Sequence, residues 1–404
     1  MRSCTQREKG SFTGLLTKLL VGTALTLGSA CDEESESAGG KFYIEPAAVM
    51  NRDVSFSNAL YQTLGAIMQP GHEVEGVPNG TVFDVLAREI SEAASSVHIL
   101  LYIWEEGEAS DPVVTALAER GADVECRILV DAVGSKDFPD TLQGPLEEIG
   151  CEVRIFRPLD GEEKLHRNHR KIVVLDGETA ITGGFGIRDE WRGDGRSNGS
   201  WRDTHAVLRG PAVAGAQQVF AENWQEAGGA LLPAHAFPEL DEVGSAAAAV
   251  VGSASSPVVT RAERLTQLLL ASATRRVWIT NAYFVPPDPV LKLMQEKAAQ
   301  GIDIRLLVPG MNSDVKVAYG SAQLDYGDLI SHGARVWEYQ PSMMHAKTMV
   351  VDDRVVTIGS INLDPLSLNQ NDEVALVVED AELNATMAES FLEDLKFAKE
   401  IGKD

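Results

Sequence analysis

A short motif that occurs twice is the strongest constraint on how this 404-residue chain can fold. Both copies have the spacing HxKxxxxD, and the second follows the first at a constant offset of 176 residues (345 − 169): His169, Lys171 and Asp176, then His345, Lys347 and Asp352. A single HxK pair is usually part of an ordinary exposed strand, but two matched copies indicate an internal duplication that carries a function. The chain is therefore predicted to contain two similar halves, each with one copy of the motif.

Each copy of the motif has the composition of a β-strand that ends at a turn. HRKIVVLD and HAKTMVVD are rich in β-branched residues and are followed by Gly or Asp. Side chains alternate across a strand, so the His and Lys share one face, whereas the Asp falls on the other face or in the turn. The Asp is thus better placed to brace the strand than to react. Gly184 and Ser360 follow and allow the backbone to approach a ligand, and Asn362 adds an amide donor.

Two such units facing each other would present two imidazoles and two ammonium groups to one anion. A phosphodiester suits this arrangement, because the cations stabilise the charge that builds up on a five-coordinate phosphorus. One His would attack phosphorus, and the other would protonate the leaving alcohol and then deprotonate the incoming one. A carboxylate on the far ring nitrogen would set the tautomer, and Asp203 and Glu373, each downstream of its own motif, are the candidates. This scheme needs no metal ion and no cofactor.

These residues resemble the phospholipase D superfamily and, within it, the bacterial cardiolipin synthase branch. The similarity covers about residues 58–400 and includes the segments 201–224 and 281–310 as well as the two motifs. It implies two duplicated α/β sandwich domains with the active site at their pseudo-twofold interface. It also implies phosphatidyl transfer without a metal ion, through a phosphohistidine, with His169 as the nucleophile and His345 as the general acid.

One position departs from the pattern of that superfamily. Where its members commonly have Asn, the first half of this chain has Gly186, while the second half retains Asn362. Losing one amide donor removes about 1–3 kcal/mol of charged hydrogen bonding unless another group replaces it. A water molecule and the Arg188 side chain are the candidate replacements.

The leading prediction is a phosphatidyltransferase that converts phosphatidylglycerol into cardiolipin and glycerol. The first alternative is a phospholipase D that hydrolyses phospholipid to phosphatidic acid, the second is a nuclease of the same superfamily, and the third is a non-catalytic binding protein. The formal net charge of −25 argues against broad nucleic-acid binding, in which Lys and Arg side chains neutralise phosphates. The expected partners are a phospholipid substrate and a membrane surface, with no nucleic acid, and the two fused halves favour a monomer.

Strand-like and helix-like hydrophobic patterns alternate in both halves, which predicts a layered α/β fold. Asp-Pro pairs at 111–112 and 288–289 begin helices in corresponding positions. The first domain is assigned to residues 58–230 and the second to 258–404. Between them, the stretch 231–257 is rich in Ala, Gly, Ser and Pro, which is typical of a linker, and it contains one predicted strand at 247–252.

The beginning of the chain differs from the rest. Basic residues precede the apolar run LLVGTALTLGSA, which predicts a signal peptide over residues 1–30, and a polar tether is predicted over 31–57. The apolar run is too short for a typical transmembrane helix. The residues up to Cys31 resemble a bacterial lipoprotein cleavage box, which favours lipidation of Cys31 over simple secretion. The expected location is therefore that of an exported bacterial protein, anchored through Cys31 on the periplasmic side or secreted.

Two further cysteines, Cys126 and Cys151, each begin a predicted strand. In an oxidising compartment they form an even pair, so a disulfide between them is one option. Buried free thiols are the other option, and the sequence does not choose between the two.

Overall fold

In the computed structural model, which describes residues 42–49, 54–159, 166–197 and 199–402, fifteen strands form one mixed sheet. In chain order the strands are β1 (Gln69–Pro78), β2 (Ser96–Leu101), β3 (Glu125–Asp131), β4 (Glu152–Phe156), β5 (Ile172–Leu175), β6 (Thr179–Gly183), β7 (Thr204–Arg209), β8 (Ala246–Ser253), β9 (Arg276–Thr280), β10 (Asp303–Pro309), β11 (Arg335–Tyr339), β12 (Thr348–Val351), β13 (Val355–Gly359), β14 (Glu373–Glu379) and β15 (Ala398–Glu400). From edge to edge they pair in the order β15-β11-β10-β9-β12-β13-β14-β8-β1-β7-β6-β5-β2-β3-β4.

Helices pack against the sheet between these strands. In chain order they are α1 (Pro46–Val49), α2 (Phe56–Leu64), α3 (Thr81–Glu92), α4 (Asp111–Arg120), α5 (Phe138–Thr141), α6 (Gln143–Glu148), α7 (Val213–Glu226), α8 (Arg261–Ser272), α9 (Asp288–Ala299), α10 (Lys316–Ser331), α11 (Pro365–Asn369) and α12 (Ala381–Leu395). The two predicted Asp-Pro starts are confirmed, because α4 and α9 both begin at that pair with Pro in the first turn.

The order of the strands shows the duplication directly. Counted outward from the central pair β1–β8, the strands β7, β6, β5, β2, β3 and β4 correspond to β14, β13, β12, β9, β10 and β11. The motif strands β5 and β12 therefore occupy the same place in the two halves. This confirms the predicted α/β fold with two similar units. The two units share a single sheet, however, because β1 and β8 pair antiparallel and each covers the open edge of the other.

The strands that carry the two motifs are buried on both faces. Every residue of β5 (IVVL) and of β12 (TMVV) is buried, as expected for central strands of a layered α/β fold. Their β-branched side chains suit a pleated, covered surface, which explains their excess in both copies of the motif. The His and Lys of each motif stand immediately before these strands and are therefore held on a rigid support.

Two regions that the sequence assigns as connections are partly folded. The range 231–257, predicted as a linker, contains β8, which lies at the centre of the sheet. Its alanines lack the large apolar side chains that usually mark a strand. The predicted tether, 31–57, contains α1 and the start of α2, and the backbone N–H of Ile44 donates to Oε1 of Gln267 on α8 at 2.9 Å. Some of this segment therefore packs on the second half.

Of the remaining predictions for the start of the chain and for the cysteines, the structure addresses only the possible disulfide. The predicted signal peptide, residues 1–30, and Cys31 lie outside the described residues. A disulfide joins Cys126 and Cys151 across the neighbouring strands β3 and β4. Among the helices that the structure describes, none has the length and apolar character needed to span a membrane.

Candidate active site

Two short backbone bridges bring each motif histidine to the other half of the chain. In the first, the N–H of His169 donates to the carbonyl of Asp372 at 2.8 Å. In the second, the N–H of His345 donates to the carbonyl of Arg202 at 2.7 Å. The next residue after each bridge partner is acidic: Glu373 follows Asp372, and Asp203 follows Arg202. Each histidine therefore lies beside a carboxylate.

Each histidine therefore contacts a carboxylate that belongs to the other half of the chain. Nδ1 of His169 lies 3.0 Å from both carboxylate oxygens of Glu373, and Nδ1 of His345 lies 2.8 Å from Oδ2 of Asp203. The sequence predicts these two carboxylates, each downstream of its own motif, and the structure places each one on the histidine of the other motif. A carboxylate at Nδ1 keeps the hydrogen on that atom, so Nε2 is left free to react.

Two buried lysines lie beside the histidines, as the spacing of the motif predicts. Nζ of Lys347 lies 2.8 Å from Nδ1 and 3.0 Å from Nε2 of His345. Nζ of Lys171 donates to the backbone carbonyl of His169 at 2.6 Å and lies 5.3 Å from the centre of the Tyr102 ring. Both lysines are almost completely buried, so the solvent screens their charge only weakly.

Burial shifts the protonation of all four groups. It lowers the pKa of His169 to about 4, with Lys171 adding to the effect and Glu373 opposing it. It also lowers the pKa of His345 to about 3, where Lys347 again adds to the effect. Both rings are therefore neutral at pH 7, the state that an attacking nitrogen requires. Burial further lowers the pKa of Lys347 to about 8 and the pKa of Lys171 well below its usual range.

Both carboxylates remain charged. Burial alone would raise the pKa of Asp203 and of Glu373, but the hydrogen-bonded histidines and the nearby cations outweigh burial and lower both. Each carboxylate also accepts other hydrogen bonds. The hydroxyls of Ser360 and Ser367 donate to Glu373, and the indole N–H of Trp191 donates to Asp203 at 2.8 Å. The two histidines are thus held by anions that are themselves fixed.

Aromatic side chains surround the two histidines unequally. The Tyr102 ring lies edge-on to His169, with 5.3 Å between the ring centres. His345 is enclosed by three rings, whose centres lie 4.9–6.1 Å from its own: Trp201, Trp191 and Tyr283. The two histidines have equivalent positions in the fold but different surroundings, so they are not chemically equivalent.

Asp176 and Asp352, the last residues of the two motifs, lie at the far ends of the motif strands. Each accepts hydrogen bonds from the loop before a neighbouring strand, with the backbone N–H groups of residues 94–96 and 274–276 as donors. Both have positive φ angles, 58° and 50°, which Asp tolerates better than most residues. A complete strand separates each Asp from its histidine, as the alternation of side chains along the strand predicts. They brace the sheet.

The small residues after each motif lie against the carboxylates. A Cβ atom at Gly184 would lie 2.3 Å from Oδ1 of Asp203, so a side chain cannot be placed there without a shift. Ser360, the equivalent residue of the second half, donates its hydroxyl to Glu373. Asn362 is buried, and its side-chain oxygen has no hydrogen-bond partner among the described residues. The unpaired atom is thus a hydrogen-bond acceptor.

Four residues of the site carry no signal in the motif itself: Tyr102, Trp191, Trp201 and Ser367. Trp201 stands two residues before Asp203, which is a weak hint in the sequence. Ser367 lies six residues before Glu373 and Trp191 twelve before Asp203, but only the tertiary structure turns these side chains towards the carboxylates and brings Tyr102 to His169. Within the described part of the chain, no group of three or more His, Cys, Asp or Glu side chains is arranged to hold a metal ion.

Comparison with known protein families matches both halves of the chain. The family model described as "Cardiolipin synthase, PLD-like domain" matches residues 86–192 and 267–395. Cardiolipin synthase 1 of Bacillus cereus is 33% identical over 334 residues, which cover 79% of this chain and 65% of that protein. Cardiolipin synthase A of Pseudomonas aeruginosa is 34% identical over 327 residues, which cover 79% of this chain and 66% of that protein. The chain thus spans just under two thirds of the length of these curated relatives.

Solved structures with a similar fold share little sequence with this chain. Phosphatidylserine synthase of Haemophilus influenzae Rd KW20 superimposes with a TM-score of 0.66 at 14% identity, covering 86% of this chain and 92% of that one. Polyphosphate kinase of Porphyromonas gingivalis superimposes with a TM-score of 0.54 at 13% identity, covering 82% of this chain and 48% of that one. At this level of identity, the similarity shows a common fold.

The location predicted from the first residues is wrong. The relatives that match this chain are bacterial cardiolipin synthases, and their names do not describe exported or lipid-anchored proteins. The predicted signal peptide, residues 1–30, and the predicted lipidation site, Cys31, lie outside both ranges that the family model matches. A hydrophobic run followed by a cysteine was too weak a signal to assign a location.

The two ranges matched by the family model coincide with the two symmetric halves of the sheet, and each contains one His–Lys pair. The curated relatives exceed 30% identity over about four fifths of the chain. This chain belongs to the cardiolipin synthase family of phospholipase D-like proteins.

Proposed function

We propose that this protein is a phosphatidyltransferase that acts on phospholipids, and that it makes cardiolipin and glycerol from two molecules of phosphatidylglycerol at a membrane surface. The observation that carries the proposal is the pair of histidines, each held at Nδ1 by a carboxylate of the other half. Two braced imidazoles are what a two-step transfer requires, since one must form a covalent bond while the other moves a proton.

In the first step, Nε2 of His169 attacks the phosphorus of one phosphatidylglycerol. The bond between phosphorus and the glycerol oxygen breaks, and His345 transfers the proton on its Nε2 to that oxygen. Glycerol leaves, and the phosphatidyl group remains on His169. Glu373 accepts the Nδ1–H hydrogen bond and stabilises the positive ring that forms.

In the second step, the glycerol hydroxyl of another phosphatidylglycerol attacks the phosphohistidine. His345, now neutral, takes the proton of that hydroxyl, the P–N bond breaks, and His169 is regenerated. Cardiolipin leaves, and both histidines return to their first protonation state. The scheme needs no metal ion, because Lys171 and Lys347 neutralise the phosphate and the amide of Asn362 adds a donor.

The assignment of roles follows the resemblance to the family. Burial lowers the pKa of His169 to about 4, so its lone pair is available at neutral pH. His345 must be protonated to act as an acid, although burial lowers its pKa to about 3 in the free protein. A bound phosphodiester carries a negative charge beside this ring, and that charge raises its pKa.

Hydrolysis by the same site is the alternative, and it differs only in that water replaces the second alcohol. To test the proposal, the full-length protein is added to phosphatidylglycerol vesicles with EDTA, and the lipids are identified by mass spectrometry. Cardiolipin with free glycerol is expected. Phosphatidic acid alone would make the protein a hydrolase, and no reaction until a divalent metal is added would exclude the metal-free scheme.

A chromogenic lipid, phosphatidyl-p-nitrophenol, separates the two steps. The wild type should release p-nitrophenol continuously. His345→Ala should release about one equivalent and then stop, because the phosphohistidine forms but lacks a base for its transfer. His169→Ala should release none. His332→Ala, at an exposed position outside the site, is the matched control and should behave as the wild type. A burst in His169→Ala and none in His345→Ala would exchange the two roles.

A further inference from the structure

The two carboxylates of the site receive their hydrogen bonds from different kinds of donor. Glu373 accepts from two hydroxyls, those of Ser360 and Ser367, which can rotate. Asp203 accepts from two N–H groups, the indole of Trp191 at 2.8 Å and the backbone of Thr204 at 2.7 Å. These donors have fixed directions. The duplication has therefore diverged at the groups behind the histidines.

Glycines in the first half explain why an indole replaces a hydroxyl. Gly184 is equivalent to Ser360 by the offset of 176 residues, and a Cβ atom there would lie 2.3 Å from Oδ1 of Asp203. A serine could occupy the position only if the Asp203 carboxylate moved away. Gly186 is equivalent to Asn362, and a Cβ atom there would lie 3.0 Å from Cβ of Ile103 and 3.3 Å from Cζ3 of Trp191. The absence of a side chain at position 186 leaves room for the indole ring.

Trp191 contacts the catalytic histidine as well as the carboxylate. Its ring lies edge-on to His345, with 5.0 Å between the centres and an angle of 90° between the planes. Its side chain is 1% exposed, so it is shielded from a lipid headgroup. Within the site, Trp191 contacts Asp203, His345 and the ring of Trp201, whose centre lies 4.4 Å away, so it can act on proton transfer through Asp203 and His345.

We propose that Trp191 is a positioning residue for His345, acting through Asp203, and that Gly186 is kept small to admit its indole ring. This inference rests on the proposed function, since it assigns a partner to the general acid. The indole N–H stabilises the negative charge on Asp203 and keeps that carboxylate from taking the proton of His345. The Nδ1–H tautomer is thereby fixed, and Nε2 remains the atom that gives a proton to the leaving alcohol.

The first-turnover rates of Trp191→Phe with two lipids test this role. Glycerol is a poor leaving group that needs an acid, whereas p-nitrophenolate leaves without one. With phosphatidylglycerol, the rate should fall on the order of 10- to 100-fold, as for other groups that orient a catalytic side chain. With phosphatidyl-p-nitrophenol, the rate should change little. KM should be unaffected for both lipids, because the ring is shielded from the substrate.

Trp104→Phe is the matched control. Trp104 is also fully buried, and its indole N–H donates to Ser110 at 2.8 Å, outside the site. Both variants lose one buried indole hydrogen bond, so they should lose similar stability. Only Trp191→Phe should discriminate between the two leaving groups. Equal losses with both lipids in Trp191→Phe would reduce Trp191 to a structural residue and overturn the inference.

The link to Gly186 is tested by a double variant. Gly186→Ala places a Cβ atom against the indole and should reproduce the leaving-group effect of Trp191→Phe. Added to Trp191→Phe, it should cause little further loss, since the indole is already absent. Additive losses would show that the two positions are independent and would contradict the pairing.

A measurement without turnover separates this inference from the proposed function. If the wild type cleaves neither lipid, the proposed function fails. The ¹⁵N signal of His345 Nδ1–H still decides the inference, because it reports the hydrogen bond to Asp203. The signal should move in Trp191→Phe and stay in place in Trp104→Phe. An unchanged signal in Trp191→Phe would overturn the inference.

Discussion

At the scale of single residues, the site depends on burial more than on residue type. The same His and Lys on a surface would titrate near their ordinary values. Burial instead lowers the pKa of His169 to about 4 and of Lys347 to about 8. The first shift keeps the ring of His169 neutral at pH 7, as its proposed role as nucleophile requires, and the second brings the charge of Lys347, the proposed phosphate ligand, close to the physiological range.

The pKa of Lys347 gives the first prediction. Its ammonium group is charged below about pH 8 and becomes neutral above it. Affinity for an anionic phosphodiester should therefore fall as the pH rises through this value. A plot of kcat/KM for phosphatidylglycerol against pH, at constant ionic strength, should show a descending limb near pH 8. A profile that stays flat to pH 10 would contradict a charged Lys347 as the phosphate ligand.

At the scale of elements, the motif aspartates tie each motif strand to the strand beside it. Asp352 follows β12 and accepts hydrogen bonds from the backbone of residues 274–276, immediately before and at the start of β9. Asp176 does the same between β5 and β2. The motif therefore contains a catalytic end and a structural end, joined by one buried strand.

Asp352→Ala should destabilise the protein without abolishing the chemistry. Several charge-assisted hydrogen bonds would be lost together, so the free energy of unfolding should fall by about 2–3 kcal/mol. The kcat of the folded enzyme, measured well below the unfolding temperature, should be retained. Asp353→Ala removes the exposed neighbouring carboxylate and should change stability by less than about 0.5 kcal/mol. Loss of kcat in a folded Asp352→Ala variant would mean that Asp352 takes part in the reaction.

At the scale of the whole molecule, the two halves share one sheet, and buried histidines make the stability of the fold sensitive to acid. Five of the histidines that the structure describes are buried, and burial lowers their pKa values below the ordinary 6.5: to about 4 for His98, His169 and His205, to about 3 for His345, and in the same direction for His72. The unfolded chain binds protons at these rings near pH 6.5, whereas the folded protein resists protonation. Their contribution to stability is therefore complete above about pH 6.5 and is lost as the pH falls towards 4.

Urea unfolding between pH 7 and pH 5 should accordingly show a decreasing free energy of unfolding. His205→Leu removes one of the titrating rings, so the slope against pH should become shallower by up to about 1.4 kcal/mol per pH unit. The comparison concerns the slope, which separates the effect of titration from any change in packing. An unchanged slope in His205→Leu would mean that this ring does not stay neutral in the folded protein.

The sequence by itself determined a large part of this protein. The duplicated motif predicts two similar α/β halves, and alternation along a strand places His and Lys together and directs Asp to the turn. Asp203 and Glu373 were predicted as bracing carboxylates because each lies downstream of its own motif. β1 and β8 were harder to predict, since their polar or small residues resemble loops. The pattern also predicts one helix over 381–401, whereas α12 ends at Leu395 and β15 follows on the sheet edge.

Only the tertiary structure decided which carboxylate braces which histidine. Local rules act over a few residues, and they cannot reveal a bridge between His169 and Asp372 or between His345 and Arg202. Those bridges depend on how the two halves meet, which is set by the pairing of β1 with β8 and by packing across the interface. The aromatic rings around His345 are brought together by the same packing between the halves. Sequence thus specifies the reactive groups, and the interface between the halves specifies their partners and their protonation.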